Sequence, residues 1–226
     1  MLGQVTYISG TWGKPELGRL YGLPVLRAEA DPTGRLGEFR LRRAGRNLSR
    51  GGVVQTLVPH GFERWELLER SGLMPVDPVP LIRHQGGQLA LERLRRDGVT
   101  PERASVALCA GRVDRTVERA AAILCERVRY VSVSVPQGGE ELARRLHKTY
   151  GIPVLPPGEG TGLALCFGPG KIPPAGRALN LYGPAPDLAG MRFFAPELAP
   201  EDRGDLLLLA ALWNGGKLDE HTLKIT

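Results

Sequence analysis

Two glycine-bearing turns in this chain carry positive charge, Ala110-Gly111-Arg112-Val113-Asp114-Arg115 and Gly168-Pro169-Gly170-Lys171. Each follows an apolar run, Ala104 to Ala110 and Gly162 to Phe167, of the kind that forms a buried strand. A turn that leaves a strand and opens a helix offers free backbone N–H groups, and the helix dipole adds to their attraction for a phosphate or carboxylate. Gly111, Arg112 and Arg115 on the first turn, with Gly168, Gly170 and Lys171 on the second, are therefore the candidate contacts for a small anionic or nucleotide-type ligand.

The sharper signatures of nucleotide chemistry are missing. Only Gly111 is a glycine in the first turn, so the G-x-G-x-x-G pattern is not met. The next strand ends Val133-Ser134-Val135-Pro136-Gln137, and no carboxylate precedes Glu140 to take the ribose hydroxyls, which disfavours ordinary NAD binding. Lys171 is not followed by Ser or Thr, and Pro173 and Pro174 forbid an immediate helix, so the phosphate-loop motif is unmet as well. The identity of any cofactor is left unknown. Gly158-Glu159-Gly160-Thr161-Gly162 precedes a strand and reads as a turn.

Acid–base chemistry has thinner candidates. His60 follows the strand-like run Val53 to Val58, on the loop side where ligands bind, and Asp77 lies in a proline-rich loop further on. The two form a general-base pair if the fold brings those loops together, and a surface histidine with a loop-capping aspartate if it does not. None of His60, His84, His147 and His221 sits in a metal-binding spacing, and no Gly-x-Ser-x-Gly elbow exists. Cys109, Cys125 and Cys166 read as small apolar core residues. The arginines between Arg40 and Arg50 resemble a nucleic-acid footprint in charge only. Phe39 is the sole aromatic residue beside them, so a solvated helix face is the better reading and nucleic acid ranks last among partners.

The elements that must position these residues follow from periodicity. Ala104 to Ala110, Arg129 to Val135, Ile152 to Leu155, Gly162 to Phe167 and Arg177 to Tyr182 read as buried strands, with helices over Asp114 to Arg127 and Gly138 to Tyr150. Asp114 is well placed to cap the first of these helices, and Val117, Ala120, Ala121, Leu124 and Val128 form its apolar stripe. Strand–helix alternation of this kind predicts an α/β fold, a Rossmann-like three-layer sandwich with a mostly parallel sheet, over residues 101–226. In such folds the ligand crevice lies at the carboxyl ends of the strands.

A smaller α/β lobe over residues 1–100 precedes it. That lobe contains a first strand over Val5 to Ser9, a helix over Gly37 to Arg50 with Leu41, Ala44 and Leu48 on one face, and further helices over Phe62 to Arg70 and Gln88 to Arg96. The boundary is expected at Thr100-Pro101, although one continuous sheet shared by both halves also satisfies the pattern. Met191 to Ala195 reads as an edge strand. Asp202 to Trp213 reads as a helix apolar on several faces, which must be covered by the rest of the chain or by a second copy in a homo-oligomer.

Composition bounds the rest. The 226 residues are 42% hydrophobic and 24% charged, ordinary values for a globular chain able to bury a substantial core. The net charge of +6 favours anionic partners without choosing among them. Leu206 to Trp213, the longest apolar run, is far short of the roughly 20 residues needed to cross a bilayer. No export signal opens the chain, and three cysteines that cannot all pair internally suit a reducing compartment, so the expected location is the cytoplasm. The combined expectation is a protein that binds a small anionic ligand at the edge of its sheet, the alternative being a non-catalytic interaction or regulatory module that has lost its cofactor loop.

Overall fold

The structure, a computed structural model, describes residues 1–9, 14–155, 161–169 and 175–226. It is a mixed α/β architecture with mostly parallel sheets, and the chain falls into two compact units. The first comprises Met1–Pro78 and Ala195–Leu223, the second Val79–Phe194 and Lys224–Thr226. No helix among the described residues is long and apolar enough to cross a membrane.

The first unit contains β1 (Leu2–Tyr7), β2 (Glu16–Leu20), β3 (Leu23–Ala30), α1 (Gly37–Arg50), β4 (Gln55–Leu57), α2 (Trp65–Glu69) and β5 (Met74–Pro75). Its sheet has the order β2-β3-β1-β4-β5, with β2 antiparallel at one edge and every other pair parallel. The chain reaches β3 on one side of β1 through a hairpin, then crosses by way of α1 to β4 on the other side. The strand order therefore reverses at β1. The expected apolar face of α1 is observed, since Leu41, Ala44 and Leu48 are buried in one cluster with Val5, Ala28, Leu68 and Leu73. Arg40 departs from the wet face assigned to it and pairs with the buried Asp31 at 3.1 Å.

The second unit contains α3 (Val79–His84), α4 (Gly86–Arg96), a 3₁₀ turn at Pro101–Arg103, β6 (Ser105–Cys109), α5 (Arg115–Cys125), β7 (Tyr130–Ser134), α6 (Gly139–Tyr150), β8 (Val154–Leu155), β9 (Leu163–Cys166), β10 (Arg177–Asn180) and β11 (Phe193–Phe194). The sheet order is β10-β9-β6-β7-β8 and all four pairings are parallel. From β6 the chain winds outward through α5 and α6 to β8, then returns to the other side of β6 for β9 and β10. Every residue of β6 and of β9 is buried, as strands covered on both faces require. A separate two-stranded ribbon pairs β11 antiparallel with β12 (Lys224–Ile225).

The structure divides the chain differently from the sequence expectation of 1–100 and 101–226. The break falls at Pro78, and α3 and α4 belong with the second sheet. Close packing explains this: a Cβ built on Gly86, at the start of α4, would lie 2.9 Å from both Leu181 Cδ1 and Phe167 Cζ. The final helix, α7 (Leu206–Asn214), goes instead with the first unit. That segment is tied there by the Tyr21 hydroxyl, which donates to Asp202 Oδ2 at 2.7 Å and accepts from the Ala199 N–H at 3.2 Å. Each unit carries a five-stranded sheet. Residues 208–212 of α7 are all buried within the chain.

Candidate functional site

In an open parallel sheet the loops leaving two neighbouring strands diverge where the strand order reverses, and that divergence creates a crevice. In the second unit the neighbours are β6 and β9, which run in register from Val106 opposite Leu163 to Cys109 opposite Cys166. The segment after β6 carries Gly111, Arg112 and Arg115, and the segment after β9 begins with Phe167 and Gly168. The topology places Gly111 and Gly168 at the same end of the sheet. Gly170 and Lys171 lie outside the described residues.

The first turn is not the tight strand-to-helix loop of a dinucleotide cradle. Beyond Cys109 the chain stays paired with the segment after β7: the Ala110 N–H donates to Ser134 O at 3.4 Å, Arg112 bridges to Gln137, and the Val113 N–H donates to Gln137 O at 2.9 Å. Only then does α5 begin, and two of its free N–H groups are already engaged. Asp114 Oδ1 accepts from the backbone of Thr116 at 2.9 Å, the backbone of Val117 at 3.1 Å and the Thr116 hydroxyl at 2.6 Å. Its Oδ2 accepts from Arg83 Nη2 at 2.7 Å. Burial works against the charge at Asp114, but the bonds from Thr116 and Val117 and the Arg83 guanidinium outweigh it and hold the carboxyl below the usual carboxylate range.

Asp114 is thus the side chain that caps this helix start, as its position in the sequence predicts. Arg112 and Arg115 remain exposed, and neither has an ion pair among the described residues. Glu118, a nearby carboxylate available to them in sequence, pairs with Arg145. Gly111 and Gly168 border open space, since a Cβ on either would meet nothing within 4 Å.

Arg83 was not singled out from the sequence and is the residue that joins the two sides of this edge. It holds Asp114 on the β6 side, while its guanidinium carbon lies 5.8 Å from the centre of the Phe167 ring on the β9 side. Its Nε is buried without a hydrogen-bond partner among the described residues. Position after a proline cluster, at the end of a helix read as loop, gave no signal for this role. Beneath the edge, Cys109 and Cys166 are free and buried, and a hydrogen bond with Cys166 together with burial pushes the Cys109 thiol up. Both read as core residues.

A cavity occupies the corresponding point of the first unit. Where the order reverses at β1, the ends of β1 and β4 border a cavity of about 240 Å³, lined by Thr6, Tyr7, Pro59, His60, Asp202 and Asp205 among others. His60 Nε2 lies 3.0 Å from the carbonyl of Glu201 and 3.8 Å from Asp205 Oδ2. Asp205 Oδ1 meanwhile caps α7 through the N–H groups of Leu207 and Leu208 at 3.0 and 3.1 Å. The carboxylate beside His60 is thus Asp205, and Asp77, the expected partner, has other contacts beyond β5. Thr6 Oγ1 is buried without a partner among the described residues. Burial raises the Tyr7 hydroxyl above its ordinary value, partly offset by the charge of Arg64.

Among the described residues no group of three or more His, Cys, Asp or Glu side chains is placed to hold a metal ion. No family model matches the chain, and no curated protein matches it. Among solved structures it is similar to L-tryptophan dehydrogenase from Nostoc punctiforme, at 18% identity and a TM-score of 0.29, over 63% of this chain and 44% of that one. The chain thus spans less than half the length of that enzyme.

Proposed function

We propose that the chain is a Rossmann-like protein whose second unit binds a small anionic ligand at the carboxyl edge of its sheet. The observation that carries this reading is the reversal of strand order at β6, which brings the basic turn after β6 and the Gly168 turn after β9 to one edge. The ligand's charge would be met by the exposed guanidinium groups of Arg112 and Arg115, because Asp114 fills the helix start. That occupancy disfavours a pyrophosphate held on backbone N–H groups and favours a ligand with one carboxylate or phosphate at its rim.

A thermal-shift screen with NAD, NADP, ATP, S-adenosylmethionine and small carboxylic and phosphorylated acids tests the proposal. A ligand at 100 times its dissociation constant stabilises by about 2.7 kcal/mol, a rise of several degrees for a domain of this size. The double variant R112A/R115A is expected to lose the shift and to melt like the parent without ligand. A shift that survives in the variant removes the proposed contacts, and no shift with any compound favours the interaction-module reading.

The cavity of the first unit supports a second reading, in which chemistry is done by His60. Donation of its Nε2–H to the Glu201 carbonyl, with Asp205 beside it, would orient the ring and leave the Nδ1 lone pair as a base. Under this reading H60A abolishes turnover of any substrate found by screening, while leaving the ligand shift of the second unit unchanged. Equal turnover by H60A would reduce the histidine to a surface residue.

A further inference from the structure

The first unit carries a strongly basic groove separate from the cavity beside His60. It lies between α1 and the end of α2, has a volume of about 500 Å³, and is lined by Phe39, Arg42, Arg46, Arg50, Arg70 and Ser71, with the buried Leu67 at its floor. Phe39, Arg42, Arg46 and Arg50 stand at i, i+3, i+7 and i+11, one stripe down α1. Successive arginines are about 6 Å apart along the axis, four residues at 1.5 Å each. Arg70 faces that stripe from the second helix.

The two helices meet closely because Gly45 has no side chain, and a Cβ there would lie 3.2 Å from Leu68 Cδ2 and 3.3 Å from Ser71 Oγ. Arg42 is paired with Glu38 on its own helix at 3.2 Å, whereas Arg46, Arg50 and Arg70 have no ion pair among the described residues. Phe39 leaves 46% of its surface exposed at one end of the stripe.

We infer that this groove binds the backbone of a single-stranded nucleic acid, with Phe39 as a stacking platform for one base. Three features support the strand over a lone anion. The positive charges form a line instead of a cluster, no carboxylate lines the groove, and an exposed aromatic ring continues the line where a base would lie. Four guanidinium groups along a phosphodiester chain supply affinity without sequence preference, and their five-donor forks suit phosphate oxygens. The sequence alone showed the arginines of α1 beside Phe39 but not Arg70 or the groove that gathers them.

Fluorescence anisotropy of the full chain with a labelled 12-nucleotide oligo(dT) tests the inference, with inorganic polyphosphate as a second probe. Binding is expected at low salt, with log K falling by about 3 per decade of salt if all four arginines neutralise phosphates. R46A/R70A is expected to weaken binding at least tenfold and to make the slope shallower by about 1.4. F39A should weaken oligo(dT) and leave polyphosphate unchanged, and R112A/R115A should alter neither, which separates this groove from the ligand site of the second unit. R46K/R70K keeps the charge and provides a folded comparison should the alanine variant melt early. No binding at low salt, undiminished binding by R46A/R70A, or equal effects of F39A on both probes would each overturn the inference.

Discussion

Asp114→Ala is expected to destabilise the second unit by about 2–3 kcal/mol, more than loss of a helix cap alone. The cap itself is worth about 1 kcal/mol. The remainder comes from Arg83, whose side chain is only 27% exposed and whose Nε already lacks a partner among the described residues. Removing the carboxylate strands a half-buried guanidinium, a penalty of roughly 1–3 kcal/mol. The pair is partly screened by solvent, so the lower part of that range applies. Asp114→Asn keeps an acceptor for the Thr116 and Val117 N–H groups but loses the charge that faces Arg83. It should therefore recover the cap and not the ion pair. Urea unfolding of the three proteins measures both parts, and an Asn variant as stable as the parent would show that Arg83 contributes nothing.

The same carboxyl fixes a pH dependence. Its folded-state value is lowered, so as pH falls the unfolded chain takes up the proton first. The stabilisation is complete above the unfolded value of about 3.9 and is lost as pH falls through the lower, folded value. The gap in stability between the parent and Asp114→Asn should be constant near neutrality and close below about pH 4.

What the sequence revealed divides along physical lines. Local signals were legible: the Asp114 cap, the α1 stripe of Leu41, Ala44 and Leu48, and the mostly apolar runs of β6 and β9 all depend on residues within a few positions of one another. Signals that needed the fold were not. Arg83 meets Asp114 across 31 residues and Phe167 across a far longer stretch, and no spacing rule reports either contact. His60 finds Asp205 only because the segment after Ala195 packs with the first unit.

Turn chemistry misled in two places. The prolines at Pro78 and Pro80 read as loop, yet proline is tolerated in a first helical turn, and α3 begins at Val79. The hairpin from β2 to β3 turns on Tyr21 and Gly22, both at positive φ, where the usual signal is Asn-Gly. Tyr21 tolerates φ +47° because its hydroxyl is held by Asp202 and Ala199, a long-range compensation that local residues do not announce.

The largest single effect is expected in the strand beneath the proposed ligand edge, where Leu108→Ala should cost about 2–5 kcal/mol. Leu108 is fully buried at the middle of an all-parallel sheet, and neighbouring strands on both sides limit how far the backbone can move to fill the space. The opposite face of the same strand behaves differently. There Ala107 and Cys109 pack with Ala164 and Cys166, a layer of small side chains on adjacent strands. Truncation has little to remove on that face, and enlargement is the damaging change: Ala107→Leu should cost about 1–3 kcal/mol through overpacking. The contrast depends on which way each residue points along β6, which the burial of all five residues hides from any ranking by exposure. Chemical denaturation of Leu108→Ala, Ala107→Leu and the truncation Cys109→Ala separates the cases. Equal tolerance of Leu108→Ala and Cys109→Ala would mean that the two faces of β6 are not packed as described, and that the edge above them lacks the rigid support a preformed ligand site requires.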